Sequence, residues 1–338
     1  MARKLTQKFF AWLQKPVGSQ ILSTIAQYRC LSLAMDGTSL RVYFQGCKVL
    51  SIKYNENSYL CCLIPLSNQY IKTSEPILES IIDSGLTQDN LQNYLDLAIG
   101  LISRRNNKRQ EERIRQEIAT VNNCSREAND TDFFVVDQEY GVTVEGKTSK
   151  FDLVTVKWLS EPKQRKNFKK SNIEIVIFEL KLGKGAVGGT INATSESADL
   201  KSHIRDFSNF QKDAVQLSEF KEDIITMFIQ QACLTGFFNS KINGLKHVRD
   251  LVKDDSQING LKNIRGLVTD DIAIKLLAEK ITVKFGFIIA DYKQKSTTLT
   301  EQISQFDNDF VFATSSFMGY GLYENCILDR QQLIEKLK

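Results

Sequence analysis

The chain has 338 residues, 44 lysines and arginines against 40 aspartates and glutamates, a net charge of +4 and 42% hydrophobic residues. This length allows two domains, and the near-balanced charge is too modest to argue for a nucleic-acid or membrane partner by itself. The chain shows no signal-peptide pattern and no apolar run of about 18 residues, and its cysteines (Cys30, Cys47, Cys61, Cys62, Cys124, Cys233, Cys326) form no C-x-x-C. A membrane span, a secreted disulfide framework and a zinc site are therefore set aside, and a cytoplasmic chain with reduced thiols is expected.

Residues 1–103 read as a small N-terminal α/β unit. A helix is expected over 2–14, strands around 30–34, 40–44, 49–54 and 59–64, and helices from Glu75 and Gln88, with Gly37 and 55–57 as turns. No residue pattern there carries chemistry. The unit is expected to dock substrate, a second copy of the chain, a partner protein, or only the rest of the molecule.

A charged helix follows over 104–122, with Glu111, Glu112 and Glu117 one to two turns apart. Strands over 133–142 and 151–158 form a hairpin around Gly146 and Ser149, with Asp152, Val154, Val156 and Trp158 expected on one face. A third strand covers 173–181, and a helix over 195–212 carries Leu200, Ile204, Phe207 and Phe210 as its apolar stripe. The next strand is expected at 281–290. Between that helix and that strand, Ile242-Asn243-Gly244-Leu245-Lys246 is echoed at Ile258-Asn259-Gly260-Leu261-Lys262, an internal duplication spanning 242–271 that reads as a surface insertion. The tail adds a helix, a strand near 309–313 and a final helix.

The chemistry concentrates in Glu179-Leu180-Lys181, which closes the apolar run 173–178, and in Asp152, which opens the preceding strand. Residues i and i+2 of a strand share a face, about 6 to 7 Å apart, so Glu179 and Lys181 project together. Three other Glu-x-Lys tripeptides, at Glu145, Glu161 and Glu219, lie in polar turn-like or helical surroundings where solvated charge is cheap. A carboxylate and an ammonium on a strand built for burial call for an ion pair, a metal or a solvated cleft. The plain alternative is an ion pair emerging at a strand end.

Two flanking segments bear on that pair. The run 163–170, which joins the Asp152 and Glu179 strands, holds five basic residues in eight, and Lys166, Lys169 and Lys170 are candidates for phosphate contact. Gly183-Lys184-Gly185-Ala186-Val187-Gly188 matches G-x-G-x-x-G, but a dinucleotide-binding turn does not follow a strand ending in Glu-x-Lys, and its helix should begin sooner. A P-loop fails because Gly189 stands where the lysine is needed. A loop whose glycines and Lys184 approach a nucleic-acid phosphate fits better. His203, one of two histidines, is expected on a helix surface, with contact to substrate as the alternative.

With these residues in the order helix, three strands, helix, strand, the chain resembles the PD-(D/E)XK, or restriction-endonuclease-like, nuclease superfamily over residues 104–292. The resemblance implies an α/β fold with an αβββαβ core and a mixed sheet, flanked by the N-terminal domain 1–103 and a C-terminal extension 293–338. Phe151 stands where the name-giving proline would be. It implies Mg²⁺, with Mn²⁺ as a substitute, held by Asp152, Glu179 and the backbone carbonyl of Leu180, with Lys181 orienting the attacking water and neutralising phosphoryl charge. A glutamate of the first helix commonly joins such sites; Glu111 is the choice, with Glu112 and Glu117 left open. The implied activity is hydrolysis of DNA phosphodiester bonds in bacterial defence, restriction or repair, with RNA left open as a substrate. A catalytically inactive nuclease-fold module for nucleic-acid binding or assembly is the alternative. A nucleotide-binding oxidoreductase is more distant and requires the strand before Gly183 to lie centrally in a parallel sheet.

Overall fold

The computed structural model describes residues 3–55, 60–65, 76–104, 110–124, 131–144, 146–157, 174–182, 200–234, 271–290, 297–304, 310–315 and 319–337. The basic run 163–170, the glycine segment with Lys184, and the duplication except for its end at Asp271 lie outside them.

Two short helices, α1 (Gln7–Leu13) and α2 (Pro16–Ala26), open the chain. Thr6 caps α1 by accepting the N–H of Phe9, and Pro16 starts α2 where a missing N–H costs nothing. Between them the backbones cross so closely that a Cβ on Gly18 would lie 2.6 Å from the Leu13 backbone. One helix over 2–14 was expected; Pro16 restarts the chain in a new direction, and α2 buries Ile21, Leu22 and Ile25. A four-stranded antiparallel sheet follows in simple order, β1 (Ser32–Asp36), β2 (Ser39–Phe44), β3 (Cys47–Asn55) and β4 (Leu60–Pro65), backed by α3 (Pro76–Ser84) and α4 (Leu91–Ser103).

The larger sheet is built from β5 (Phe133–Val144), β6 (Lys147–Lys157), β7 (Glu174–Leu182), β8 (Thr282–Ala290), β9 (Val311–Ser315) and the two-residue β10 (Ile327–Leu328), lying side by side in that order. It is mixed: β5–β6, β6–β7 and β9–β10 are antiparallel, while β7–β8 and β8–β9 are parallel. Because β7 runs antiparallel to β6, the parallel sheet that a dinucleotide turn after β7 requires is not formed. Helix α5 (Gln110–Asn123) precedes β5, and α6 (Leu200–Lys212), α7 (Ala214–Cys233) and α8 (Asp271–Glu279) come between β7 and β8. Helices α9 (Thr297–Ile303) and α10 (Arg330–Leu337) and a 3₁₀ turn (Glu324–Cys326) complete the described elements.

Alternation along β7 sorts the two faces of this sheet. Val176, Phe178 and Leu180 join Ile114 and Ile118 of α5, whereas Ile175 and Ile177 join Phe207 and Phe210 of α6 and Phe220 and Ile224 of α7. Glu179 and Lys181 have the parity of the second group and so rise on the α6 side. Helix α7 was not expected from the sequence. Its stretch 223–231 is buried on every side, with polar residues that meet backbone: Gln231 donates to the carbonyl of Val136 at 2.6 Å, satisfying β5 where a bulge breaks its pairing with β6.

The N-terminal elements pack directly on the larger sheet's helices, and their apolar residues belong to the same continuous core as Phe207, Phe285 and Phe287. Gln116 of α5 donates to the carbonyls of Cys30 and Tyr43 at 3.1 and 2.9 Å and accepts the Gly46 N–H at 2.6 Å. Glycine is needed at 46: φ is +75°, and a Cβ would stand 2.7 Å from that of Glu112. Among the described residues no helix is long and apolar enough to cross a membrane.

Candidate functional site

Asp152 stands where β6 and β7 part. Their pairing runs from Val156↔Ile175 to Leu153↔Phe178 and stops one step before Asp152 would face Glu179. Released from the ladder, the N–H of Leu180 donates instead to Asp152 Oδ2 at 2.9 Å. Asp152 lies within β6, which begins at Lys147 rather than at Phe151. It does not follow Val154 and Val156 into the core under α6 and α7 as the face pattern predicts. Phe151 joins that core but Leu153 joins the α5 side, so the alternation slips between the pairs Tyr140↔Phe151 and Gln138↔Leu153, and the Asp152 carboxylate turns to α5. There Arg115 Nη1 lies 2.5 Å from Asp152 Oδ1, and Nη2 lies 3.1 Å from Glu139 Oε1. In an extended strand the N–H and C=O of one residue face the same neighbour, so the Leu180 carbonyl also points to the Asp152 side.

Glu179 and Lys181 meet as their spacing predicts, with Lys181 Nζ donating to Glu179 Oε1 at 3.0 Å. His203 of α6 closes the group: its Nε2 is 3.0 Å from the same oxygen and 3.2 Å from Lys181 Nζ. Asp152, Glu179, Lys181 and Arg115 are 8%, 5%, 7% and 6% exposed, so all four charges are withdrawn from water. Burial first, and then the charge of Asp152, push the Glu179 carboxyl up to about 8 against the opposing pull of Lys181.

The three glutamates of α5 separate cleanly. Glu112 packs against the turn at Gly46, and Glu117 acts on Cys30, so both face the N-terminal elements. Glu111 is exposed along its side chain, yet its carboxyl is raised by partial burial and next by Asp152, and lowered by Arg115 and Lys181. It is the glutamate of the three that shares the field of this cluster.

The sequence reading did not single out Arg115 or Glu139, and it placed His203 on a helix surface with contact to substrate as the alternative. Glu111 and Arg115 are four residues apart and share a helix face, a signal that was legible. Glu139 was not: it sits at φ +53°, just past the bulge between Val135 and Asp137, and this left-handed residue aims its carboxylate at Arg115. The carbonyls of Gln138 and Glu139 are held by Arg3 Nη1 at 3.3 and 2.9 Å.

These donors are hard oxygens, the type Mg²⁺ takes, and several carboxylates brought together under burial favour a cation. As the side chains stand, however, no group of three or more His, Cys, Asp or Glu among the described residues is arranged to hold a metal ion. Arg115 and the Leu180 N–H occupy the two oxygens of Asp152. The donor chemistry fits a divalent cation; the present partners of Asp152 would have to yield to it.

Compared with protein-family models, curated proteins and solved structures, the chain matches none of them.

Proposed function

We propose that the chain is a Mg²⁺-dependent phosphodiesterase acting on DNA, with a nuclease core of the PD-(D/E)XK kind over residues 104–292. One observation carries this reading: at the splayed end of β6 and β7 a buried aspartate, a buried glutamate with an elevated pKa and a buried lysine converge on one strand end. Ordinary strand-end ion pairs lie elsewhere in the sheet. At the opposite end of β7, Glu174 takes Lys284 at 2.6 Å and Lys157 at 3.8 Å.

In this reading Asp152, Glu179 and the Leu180 carbonyl would hold Mg²⁺, with Glu111 at the border of the set. A bound Mg²⁺ supplies charge neutralisation of the phosphodiester and a nucleophile at neutral pH. Lys181 Nζ, fixed on Glu179 by burial, presents its remaining protons to the attacking water and to the phosphoryl oxygens, an oriented charge worth a few kcal/mol in a dry site. His203 keeps Glu179 and Lys181 in register from the α6 side.

A non-catalytic nucleic-acid-binding or assembly module is the second reading, and the Arg115–Asp152 pair favours it, since an internal cation already neutralises the aspartate. Cleavage decides between them. Purified protein should cut DNA with Mg²⁺ or Mn²⁺, and not with Ca²⁺ or EDTA, and Asp152→Asn and Lys181→Ala should each remove that activity in a folded protein. Equal cutting by wild type and both variants would mean a contaminant; no cutting on DNA or RNA would leave the binding module.

A further inference from the structure

Arg115 has no task in the chemistry just described, yet it is the cation nearest Asp152. Its guanidinium spans two carboxylates of different character. Asp152 is buried, with Oδ1 at 2.5 Å from Nη1, whereas Glu139 is half exposed, with Oε1 at 3.1 Å from Nη2. Glu139 reaches that nitrogen through a left-handed backbone, held after a bulge by the guanidinium of Arg3 on its carbonyl. Strain of this kind persists where the surroundings impose it, and bulges often re-aim a side chain beside a site. What this one delivers is a second anchor for Arg115, on the solvent side of the first.

A metal ion on Asp152 and a guanidinium 2.5 Å from Oδ1 compete for one oxygen and repel each other. A guanidinium anchored at one nitrogen can leave the other partner without losing its place. We propose that Arg115 is a two-position guard of the carboxylate pair: it neutralises Asp152 in the metal-free protein, gives up that oxygen to an entering divalent cation, and turns about its Glu139 anchor to meet a phosphate of the substrate strand. The planar fork of arginine suits both positions, since it pairs with carboxylate and phosphate alike. The guard half stands on the geometry; the phosphate half rests on the nuclease reading.

The test measures Mn²⁺ affinity by calorimetry, and affinity for a DNA duplex in Ca²⁺, for wild type and Arg115→Gln. Removing the guard should tighten Mn²⁺ about tenfold and weaken DNA about fivefold, opposite signs that loss of a merely structural arginine would not produce. Arg115→Lys keeps a charge but cannot bridge two carboxylates, so it should tighten Mn²⁺ by a smaller factor, and it serves if the glutamine variant does not fold. Unchanged or weaker Mn²⁺ binding in the folded variant overturns the guard. Mn²⁺ binding to neither protein overturns it together with the nuclease reading. Tightened Mn²⁺ binding in a chain whose wild type never cuts nucleic acid sustains the guard while the nuclease reading fails, and cutting with unaltered Mn²⁺ affinity does the reverse.

Discussion

Two buried aspartates serve the larger sheet in opposite ways. Asp223 of α7 accepts the backbone N–H groups of Arg3 and Lys4 at 2.8 and 2.9 Å and the hydroxyl of Tyr140 at 2.9 Å. Nearby, Gln230 accepts the Leu5 N–H and donates to the Leu5 carbonyl, both at 2.8 Å. These donors are backbone and a phenol, fixed by the fold, and they stitch the start of the chain to α7. Asp152 has one backbone donor and one side-chain cation, and around it the positive charges acting on Glu111, Glu139 and Glu179 among the described residues are the side chains of Arg115 and Lys181. A carboxylate saturated by fixed amides is a structural lock. One balanced by side-chain cations among other carboxylates can exchange its partner for an ion, and such an arrangement is suited to chemistry.

The largest expected effect is on catalysis. Lys181→Ala or Asp152→Asn should lower DNA cleavage by about a thousandfold, whereas Asp223→Asn, if folded, should cut at near the wild-type rate. A nicking assay in Mg²⁺ reads this, and equal losses at Asp223 and Asp152 would erase the contrast between the two aspartates.

Stability should divide the other way. Asp223→Ala strands two backbone donors and a buried hydroxyl, a loss of about 3 kcal/mol or more in urea unfolding. Asp152→Asn relieves repulsion from Glu179 while Arg115 retains Glu139, so it should shift stability by less than about 1 kcal/mol.

The pH dependence adds a finer cut. Asp137 lies beside the Asp223 network, fully buried, with Arg3 Nη1 at 2.6 Å from Oδ2. That nitrogen aims its hydrogens at the Gln138 and Glu139 carbonyls, so the contact is electrostatic, and burial pushes the Asp137 carboxyl up to about 7. The folded protein thus holds this proton more tightly than the unfolded chain. Its contribution is fully present below about pH 4 and is lost as pH rises to about 7, a fall on the order of 4 kcal/mol. Glu179 adds a loss of the same sign, complete only above about pH 8 in the metal-free protein. Asp137→Asn should flatten the first part of the slope in urea titrations at several pH values. Saturating Mn²⁺ should flatten the Glu179 part alone, because a bound cation keeps that carboxylate ionised. A slope indifferent to both changes would contradict the assignment of either group.

A last effect is the metal's own stabilisation. At a hundredfold excess over Kd, Mn²⁺ should add about 2.7 kcal/mol to wild type and raise its Tm. The increment should shrink in Asp152→Asn and persist in Asp223→Asn, which leaves the donor set intact.

The Asp152 side of this contrast was legible in the sequence; the Asp223 side was not. The β-branched run before Glu179 and the i, i+2 spacing of Glu179 and Lys181 follow from local pattern, because strand periodicity is carried by neighbouring residues. The four N-terminal strands and the order of α5, β5, β6, β7, α6 and β8 were visible for the same reason. The expectation that Asp152 opens its strand does not hold, since β6 begins at Lys147. Tertiary structure decided the rest. Helix α7 escaped notice because its stretch 223–231 is buried on every side and lacks the one-sided stripe that periodicity detects. The choice of Glu111 over Glu112 and Glu117 depends on which side of α5 meets the N-terminal sheet. The roles of Arg115 and Glu139 depend on a bulge in β5 and a left-handed residue pinned by Arg3, more than a hundred positions away in the chain. Local sequence sets which side chains a strand or helix can present, but partners for buried charge come from distant segments, since each charge taken out of water must find its counterpart wherever the fold brings one within reach.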